Sequence, residues 1–321
     1  MTGSGTDRVS PFEIAGTAVG PGRRAVLDLP LMRLPTGAPL SVPLAVVHGR
    51  NAGPVVWLSG AIHGDEVNGV EITRRVAAAL DARALRGTVI AVPAVNVLGF
   101  IAESRYLPDR RDLNRSFPGS ARGSLAARIA HLFMTTIVDR CIAGIDYHTG
   151  TDHRFNLPHI RGDLRDPDVR RLAAAFGAPL MVRAAVRDGS LRQAAAQRGV
   201  TTLVYEGGQA HRFDPEPIGI GVDGTLRVLA ALGMLASAPA ARGRPLEISK
   251  TRWVRARRSG ITRVVAGLGD RVAAGDPIAE IGDVLGGRPT TARAPADGIV
   301  IGLSRSPLVN RGDAIANLGL L

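Results

Sequence analysis

The sequence contains very little lysine, cysteine or aromatic side chain. Its 40 basic residues include a single lysine, Lys250, and its one cysteine, Cys141, excludes an internal disulfide. Aromatic residues make up 4% of the chain. The longest apolar run, residues 228–241, is too short to span a bilayer and is interrupted by glycine and proline. No basic segment followed by an apolar stretch opens the chain, so we expect a cytoplasmic protein with no membrane partner.

The charge balance is strongly positive, at +12 over 321 residues, and such a charge is compatible with binding to nucleic acid. The arginines, however, are spread from Arg8 to Arg311 instead of being gathered in one tract. Arginine in place of lysine, beside abundant alanine, is typical of a composition bias that affects a whole genome. We therefore expect no nucleic-acid partner and infer that the positive field favours a small anionic substrate.

Strands and helices alternate between about residue 10 and residue 240. Six apolar segments are typical of strands, at residues 43–49, 54–60, 87–94, 143–148, 179–184 and 200–206. Four segments between them are typical of helices, at residues 66–82, 124–140, 166–177 and 190–199. Continuous Val, Ile and Leu in the strands predicts burial on both faces. We therefore expect an α/β fold with a mixed, mostly parallel central sheet flanked by helices.

The character of the sequence changes at residues 238–250, a linker that contains Pro, Gly and Arg. We predict a catalytic domain over residues 1–245 and a small all-β module over residues 250–321, where short apolar pairs alternate with Gly-Asp turns. The phrases GDRVAAGDPIAEI and APADGIVIG resemble biotinyl and lipoyl domains. Those domains carry their cofactor on a lysine, and no lysine follows Lys250, so a carrier function is excluded.

A Gly-rich turn carries polar residues where a buried strand ends. The segment GAIHGDEVNGVEI (60–72) holds His63 and Glu66 one helical turn apart. Zinc binds imidazole and carboxylate ligands, and a catalytic zinc site keeps one position open for water. His148, in DYHTG at another strand end, is the best third ligand, because ligands of such sheets bind beyond the carboxyl ends of the strands. The alternative for a single histidine here is a hydrogen-bonded residue of a turn.

Two further segments contain groups that a hydrolase needs. Glu206, in LVYEGG at a third strand end, can act as a general base; the alternative is an ion-paired or helix-capping carboxylate. Planar guanidinium groups bind carboxylates in a bidentate manner, so an arginine-rich segment at residues 103–120 predicts a substrate site, against the alternative of a solvated basic loop. Its candidate substrate-binding residues are Arg111, Asn114 and Arg115, and Arg105 in the same segment is a candidate catalytic residue.

In their order and spacing, GAIHGDEVNGVE, RDLNRSFPG, DYHTGT and VYEGG resemble the succinylglutamate desuccinylase/aspartoacylase family of zinc deacylases, which are related to zinc carboxypeptidases. The resemblance covers about residues 50–210, and a C-terminal β-module is also typical of the family. It implies a zinc carboxypeptidase-like fold and one zinc ion per chain, held by His63, Glu66 and His148. It also implies that Glu206 is the catalytic glutamate.

The same resemblance implies roles in the arginine-rich segment. Asn114 and Arg115 match the pair that holds the substrate carboxylate. Arg105 is the best match for the arginine that polarises the scissile carbonyl, and Arg111 is its rival. Family members use a substrate-contacting tyrosine from late in the chain, and the C-terminal third of this sequence contains none. The resemblance therefore does not extend to specificity for N-acetyl-aspartate.

We expect a zinc-dependent hydrolase that cleaves the amide bond of a small N-acyl amino acid or a related amide with a carboxylate. A carboxypeptidase that acts on short peptides would use the same metal site, and only the depth of the pocket would separate the two. A third alternative is a non-catalytic anion-binding protein with a vestigial metal site, which predicts no bound zinc and salt-dependent association. A homo-oligomer is compatible with the family resemblance.

Overall fold

The structure is a computed structural model, and it describes residues 9–287 and 289–321. Its strands in these residues are β1 Phe12–Ile14, β2 Thr17–Val19, β3 Arg23–Arg33, β4 Pro39–His48, β5 Asn51–Ser59, β6 Arg86–Val92, β7 Ala143–Gly150, β8 Arg154–Gly162, β9 Leu180–Arg183, β10 Thr201–Gln209, β11 Leu246–Ile248, β12 Thr251–Arg255, β13 Gly260–Val264, β14 Arg271–Val272, β15 Pro277–Gly282, β16 Thr290–Arg293, β17 Gly298–Ser304, β18 Leu308–Val309 and β19 Ala314–Leu320. The α-helices are α1 Asn68–Ala79, α2 Val97–Ile101, α3 Leu125–Thr136, α4 Pro167–Phe176, α5 Leu191–Ala196 and α6 Pro215–Ala231.

The central sheet is mixed, and its middle is parallel. Its main strand order is β12, β19, β17, β8, β10, β7, β5, β6, β4 and β3. Strands β10, β7, β5 and β6 pair with one another in parallel, whereas β8 and β4 join them antiparallel on either side. The predicted α/β fold with a mixed central sheet is confirmed.

Two hydrophobic cores cover the two faces of this sheet. Along β5, Val56 and Leu58 belong to the core that also contains α1, α4 and α6, whereas Trp57 belongs to the core that contains α3 and α5. All three side chains are fully buried, as expected for a strand with helices on both faces. Among the described residues, no helix has the length and apolar character needed to cross a membrane.

All six predicted strands and all four predicted helices are present, with small shifts at their ends. The sequence did not predict β3, β8 or α6.

Helix α6 contains three glycines, and glycine in a sequence favours the prediction of a loop. Two of them allow close packing, because a Cβ at Gly221 would lie 2.5 Å from the Ile72 side chain and a Cβ at Gly224 would lie 2.4 Å from the Phe176 side chain. Tertiary contacts thus outweigh the low helix propensity of glycine.

The C-terminal residues form a β-rich module that is continuous with the central sheet. Strands β16, β15, β13 and β18 make a separate antiparallel sheet, whereas β12, β19 and β17 extend the central one. The connection is made by β17, which pairs antiparallel with β8. Part of the predicted linker is also ordered, because β11 pairs in parallel with β9.

Candidate metal centre and catalytic cleft

A tightly packed turn links β5 to α1 and carries two of the predicted metal ligands. Gly64 lies in the middle of this turn, and a Cβ atom there would be 2.0 Å from the carbonyl carbon of Gly99 in α2. Only glycine fits at such a close approach of two backbones. Ala61 has a φ of 45°, in the left-handed region that alanine rarely adopts. The turn therefore depends on its packing, and it holds the two ligands above the end of β5.

The three predicted metal ligands converge in one buried cluster. His63 Nδ1 lies 2.7 Å from Glu66 Oε1, and His148 Nδ1 lies 2.8 Å from Glu66 Oε2. The potential ligand atoms of the three side chains lie within 4.8 Å of one another. Two imidazole nitrogens and one carboxylate are a ligand set that zinc uses in catalytic sites. The cluster could therefore hold a divalent metal ion.

A carboxylate lies on the far side of each imidazole. Asp146 Oδ2 is 2.8 Å from His148 Nε2. Asp112 Oδ1 is 3.3 Å from His63 Nε2, a close contact that is not aligned as a hydrogen bond. Carboxylates in this position fix the orientation of a histidine ligand and raise its basicity. We refer to His63, Glu66, His148, Asp112 and Asp146 as the metal corner.

The sequence did not single out Asp112 or Asp146. A signal exists for Asp146, because it precedes His148 by two residues on β7 and therefore faces the same side of the sheet. Ser59, at the end of β5, donates to Asp146 Oδ1 at 2.8 Å and holds this carboxylate in place. Asp112 has no comparable signal, since its position depends on how the loop after α2 folds back over the turn.

The electrostatics of the corner favour positive charge beside Glu66. Burial disfavours the carboxylate, but His63 and His148 outweigh this effect and hold the pKa of Glu66 below its ordinary value. Burial also opposes protonation of His148, yet Asp146 and Glu66 raise the pKa of this imidazole well above its ordinary value. A divalent cation would replace the protons between the imidazoles and Glu66, so the ligand set fits a metal ion.

Glu206 lies beside the metal corner on the neighbouring strand. It pairs with His148 across β10 and β7, and with His159 across β10 and β8. Its Oε2 accepts a hydrogen bond from Asn156 Nδ2 at 3.1 Å, and its Oε1 lies 3.9 Å from the Arg161 guanidinium. The side chain is 14% exposed. A carboxylate so placed, next to the corner and open to solvent, suits proton transfer from a water molecule.

Arg105 and Arg111 have different environments although both follow α2. The Arg105 guanidinium lies 3.5 Å from Glu66 and donates to Asp112 at 2.8 Å. The Arg111 side chain is 62% exposed, and its nearest carboxylate among the described residues is Asp109, at 3.7 Å. The structure thus brings Arg105 to the metal corner and leaves Arg111 in solvent.

Asn114 and Arg115 lie in a 3-10 turn that is tied to the metal corner. The Asn114 backbone N–H donates to Asp112 Oδ1 at 2.8 Å. The Asn114 side-chain oxygen accepts from the Leu191 N–H at 3.0 Å, whereas its Nδ2 donates to no described residue. Arg115 is exposed and has no carboxylate partner in the part of the chain that the structure describes. Both side chains therefore retain donors that can bind an anion.

A second arginine-bearing segment, residues 184–191, packs against this turn. A Cβ at Gly189 would lie 2.6 Å from the Arg115 carbonyl oxygen, so the two backbones are in direct contact. Arg187 lies two residues before this contact, and the positive charges of Arg187 and of Arg161 on β8 both act on Arg115. We refer to Arg115, Arg161 and Arg187 as the arginine wall. The sequence predicted only the first of them, because the other two depend on tertiary packing.

The guanidinium groups of the arginine wall repel one another. Partial desolvation lowers the pKa of Arg115, the negative charge of Asp112 opposes this shift, and the charges of Arg187, Arg105 and Arg161 lower the pKa further. Burial and the charge of Arg161 also lower the pKa of Arg192 to about 10. Arg192 donates to the backbone carbonyls of residues 184 and 185, at 3.3 and 2.7 Å, and so orders the loop before Arg187. An anion bound beside these arginines would relieve this repulsion.

The sequence model described as the succinylglutamate desuccinylase/aspartoacylase catalytic domain matches residues 52–232, more than half of the chain. The chain belongs to this family. A curated relative is the N-alpha-acetyl-L-2,4-diaminobutyric acid deacetylase of Halomonas elongata. It is 30% identical over 289 residues, which cover 86% of this chain and 84% of that protein. The predicted family resemblance is therefore confirmed, and the family is one of deacylases.

Solved structures of succinylglutamate desuccinylase/aspartoacylase proteins share the fold. The product-bound ectoine utilization protein EutE (DoeB) of Ruegeria pomeroyi superposes with a TM-score of 0.84 at 28% identity, covering 93% of this chain and 95% of that chain. A succinylglutamate desuccinylase/aspartoacylase of Rhodobacter sphaeroides gives a TM-score of 0.82 at 30% identity, covering 92% and 94%. The fold extends over nearly the whole chain in both comparisons, the C-terminal module included.

Proposed function

We propose that this family member is a zinc-dependent deacylase that hydrolyses the amide bond of a small N-acyl amino acid. The observation that carries the proposal is the convergence of His63, Glu66 and His148, with potential ligand atoms within 4.8 Å of one another. Glu206 pairs with His148 on the adjacent strand. Three protein ligands and an adjacent carboxylate are the parts that a hydrolytic zinc site needs.

The proposed cofactor is one zinc ion per chain. Two imidazoles and one carboxylate suit zinc better than calcium or magnesium, which prefer oxygen ligands. When bound, zinc would polarise the scissile carbonyl and lower the pKa of a water molecule to near 7. Asp112 and Asp146 would keep the two imidazoles in the orientation and tautomer that metal binding requires.

Glu206 is proposed to carry out the proton transfers. Its carboxylate takes a proton from the attacking water and then gives that proton to the nitrogen of the leaving amine. Arg105 lies beside Glu66, 3.5 Å away, and is our candidate for the donor that stabilises negative charge on the carbonyl oxygen. Arg111 is 62% exposed and is not assigned this function.

The substrate carboxylate is proposed to bind Asn114 and Arg115, which have free donors next to the metal corner. The arginine wall supports a substrate with negative charge. By its name, the Halomonas relative acts on acetylated diaminobutyric acid, whose side-chain amine is a cation at neutral pH. A cation facing Arg161 and Arg187 would be repelled, so we propose an acyl amino acid with an uncharged or acidic group at that position.

A hydrolysis screen tests the proposal. N-acetyl and N-succinyl amino acids, N-acetyl-2,4-diaminobutyrate and dipeptides are offered to the purified protein, with and without a chelator, and zinc is measured in the same sample. We expect about one zinc per chain, hydrolysis of N-acyl amino acids and loss of activity with the chelator. Hydrolysis of dipeptides alone would favour a carboxypeptidase, and absence of both zinc and turnover would contradict the proposal.

A further inference from the structure

The C-terminal module touches the strand that supports Glu206. Strand β17 pairs with β8 at three positions, one of which joins Gly302 to Asn156. Arg305, just after β17, donates its backbone N–H to the His153 carbonyl at 2.7 Å, and its guanidinium lies 4.2 Å from the ring centroid of Phe155. The module therefore holds the first residues of β8, the strand that also pairs with β10 beside Glu206.

Asn156 lies between two glycines in the sheet. It pairs with Gly302 of β17 on one side and with Gly208 of β10 on the other. The register of β10 shifts between Glu206 and Gly208, so this strand is irregular immediately after the catalytic candidate. Because Gly302 has no side chain, the Asn156 amide has room on the module side while its Nδ2 reaches Glu206 on β10.

This amide makes a direct bond to Glu206. Asn156 Nδ2 donates to Glu206 Oε2 at 3.1 Å. The other oxygen, Oε1, has no hydrogen bond in the part of the chain that the structure describes, and the Arg161 guanidinium is 3.9 Å from it. One oxygen is therefore fixed by a neutral donor, while the other remains available to accept a proton.

A glycine lies against this amide on the module side. A Cβ atom at Gly302 would lie 3.0 Å from Asn156 Oδ1, a contact tighter than nine in ten that real Cβ atoms make, so the amide would have to shift to make room for it. An alanine at this position would therefore press on the amide that holds Glu206. On the side of strand β19 the same point lies 3.6 Å from Asn317 Cβ, an ordinary van der Waals contact, so the Asn156 amide is the group that the alanine would displace.

We infer that Asn156 is a positioning residue for Glu206 and that the C-terminal module, through Gly302, keeps Asn156 in place. The module would thus contribute to hydrolysis although it carries no cofactor and no reacting group. Glu206 Oε2 is the anchored oxygen, and Oε1 is the one that accepts the proton. This inference rests on the proposed function of Glu206 as the general base.

The first test is a double-mutant cycle on Asn156 and Glu206. In Asn156→Ala we expect kcat to fall by about 10- to 100-fold, the effect of losing one hydrogen bond to a charged group, with KM and zinc content unchanged. In Glu206→Gln, the additional Asn156→Ala change should lower the residual rate little or not at all, because the two residues act as a unit. Asn310→Ala, an exposed position in the module, is the matched control and should leave kcat unchanged.

The second test changes only the C-terminal module and leaves Asn156 and Glu206 unaltered. Gly302→Ala should lower kcat in the same direction as Asn156→Ala, and it should have no further effect in the Asn156→Ala background, where the amide is already absent. Gly219→Ala is the matched control, because a Cβ there would meet nothing within 4 Å. Crystal structures of Asn156→Ala and Gly302→Ala should show the Glu206 carboxylate displaced or in several positions.

Three results would overturn the inference. Unchanged kcat in Asn156→Ala would mean that Glu206 needs no anchor, and a loss that multiplies with Glu206→Gln would mean that Asn156 acts on the fold in general. An undisplaced Glu206 in both crystal structures would contradict it without any reference to activity. Failure of the proposed function would be seen in the unaltered protein and not only in the variants. That protein would then bind no zinc and hydrolyse no N-acyl amino acid.

Discussion

The metal corner and the arginine wall differ in how their charges are balanced. In the corner, Glu66 lies between two imidazoles, and each imidazole has a carboxylate on its other side. In the wall, Arg115 and Arg187 have no carboxylate within 4.0 Å among the described residues, and Arg161 has only Glu206, at 3.9 Å. The paired charges of the corner form a site that could hold a metal ion without substrate. The arginines of the wall have fewer negative partners, and the proposed substrate would supply negative charge there.

Burial explains this difference. The side chains of His63, Glu66 and His148 are at most 5% exposed, and charges so deeply buried are very costly unless they are paired. The Arg161 side chain is 45% exposed, so water can solvate its guanidinium while the cleft is open. A substrate that displaces this water must replace its hydrogen bonds, which favours ligands with an anionic group.

The largest effect should come from removing a ligand of the corner. We expect His148→Ala to weaken metal affinity by more than about 100-fold, because even partners outside the ligand set typically contribute 10- to 100-fold. Activity on N-acyl amino acids should be lost with the metal. Metal analysis and equilibrium dialysis provide the measurement, and His131→Ala, in the half-buried part of α3, is the matched control. A His148→Ala protein with full zinc content would remove this residue from the site.

Changing Glu206 should separate catalysis from metal binding. In Glu206→Gln we expect kcat to fall by about 10²- to 10⁴-fold, the typical contribution of a general base, while zinc content stays the same. The amide keeps the size of the side chain but cannot take up the proton. Glu280→Gln, on strand β15 of the module, where the side chain is 37% exposed, is the control for the same chemical change. Near-normal turnover in Glu206→Gln would exclude it as the base.

A smaller effect should distinguish Arg105 from Arg111. Arg105→Ala removes a guanidinium next to the metal corner, and we expect kcat to fall by about 10²- to 10³-fold if it stabilises the charged carbonyl oxygen. Arg111→Ala should change kcat less than about twofold, because its side chain lies in solvent. Steady-state kinetics of the two variants provide a matched pair. Equal losses in both would mean that the loop moves when substrate binds.

Much of the corner could be predicted from the sequence because its signals are local. His63 and Glu66 lie three residues apart in one turn, and His148 and Glu206 end apolar strands whose carboxyl ends meet at one edge of the sheet. The same reasoning recovered the parallel centre of the sheet. Asp112 could not be predicted in this way. An aspartate in an arginine-rich loop does not indicate that the loop folds back to a histidine 49 residues earlier.

The arginine wall and the module contact could not be predicted in the same way. Arg187 acts on Arg115 because the segment that carries it packs on the turn at residues 113–115 through Gly189, and the sequence separation of these segments is large. Similarly, β8 has mixed polarity along its length, so neither its pairing with β17 nor the bond from Asn156 to Glu206 has a signal in the sequence. Both features depend on tertiary contacts.

The smallest expected effect concerns the charge selectivity of the wall. Arg161→Ala and Arg187→Ala should each raise KM about two- to fivefold for N-acyl amino acids with a second carboxylate, since partly exposed ion pairs typically contribute up to about 1 kcal/mol. KM for substrates with a single carboxylate should stay nearly constant, and N-acetyl-2,4-diaminobutyrate should become a better substrate because a repulsive charge is removed. Arg252→Ala, on the exposed strand β12, controls for the change in net charge. If KM rises equally for all substrates, the two arginines act on the general field of the cleft and do not select the side chain of the substrate.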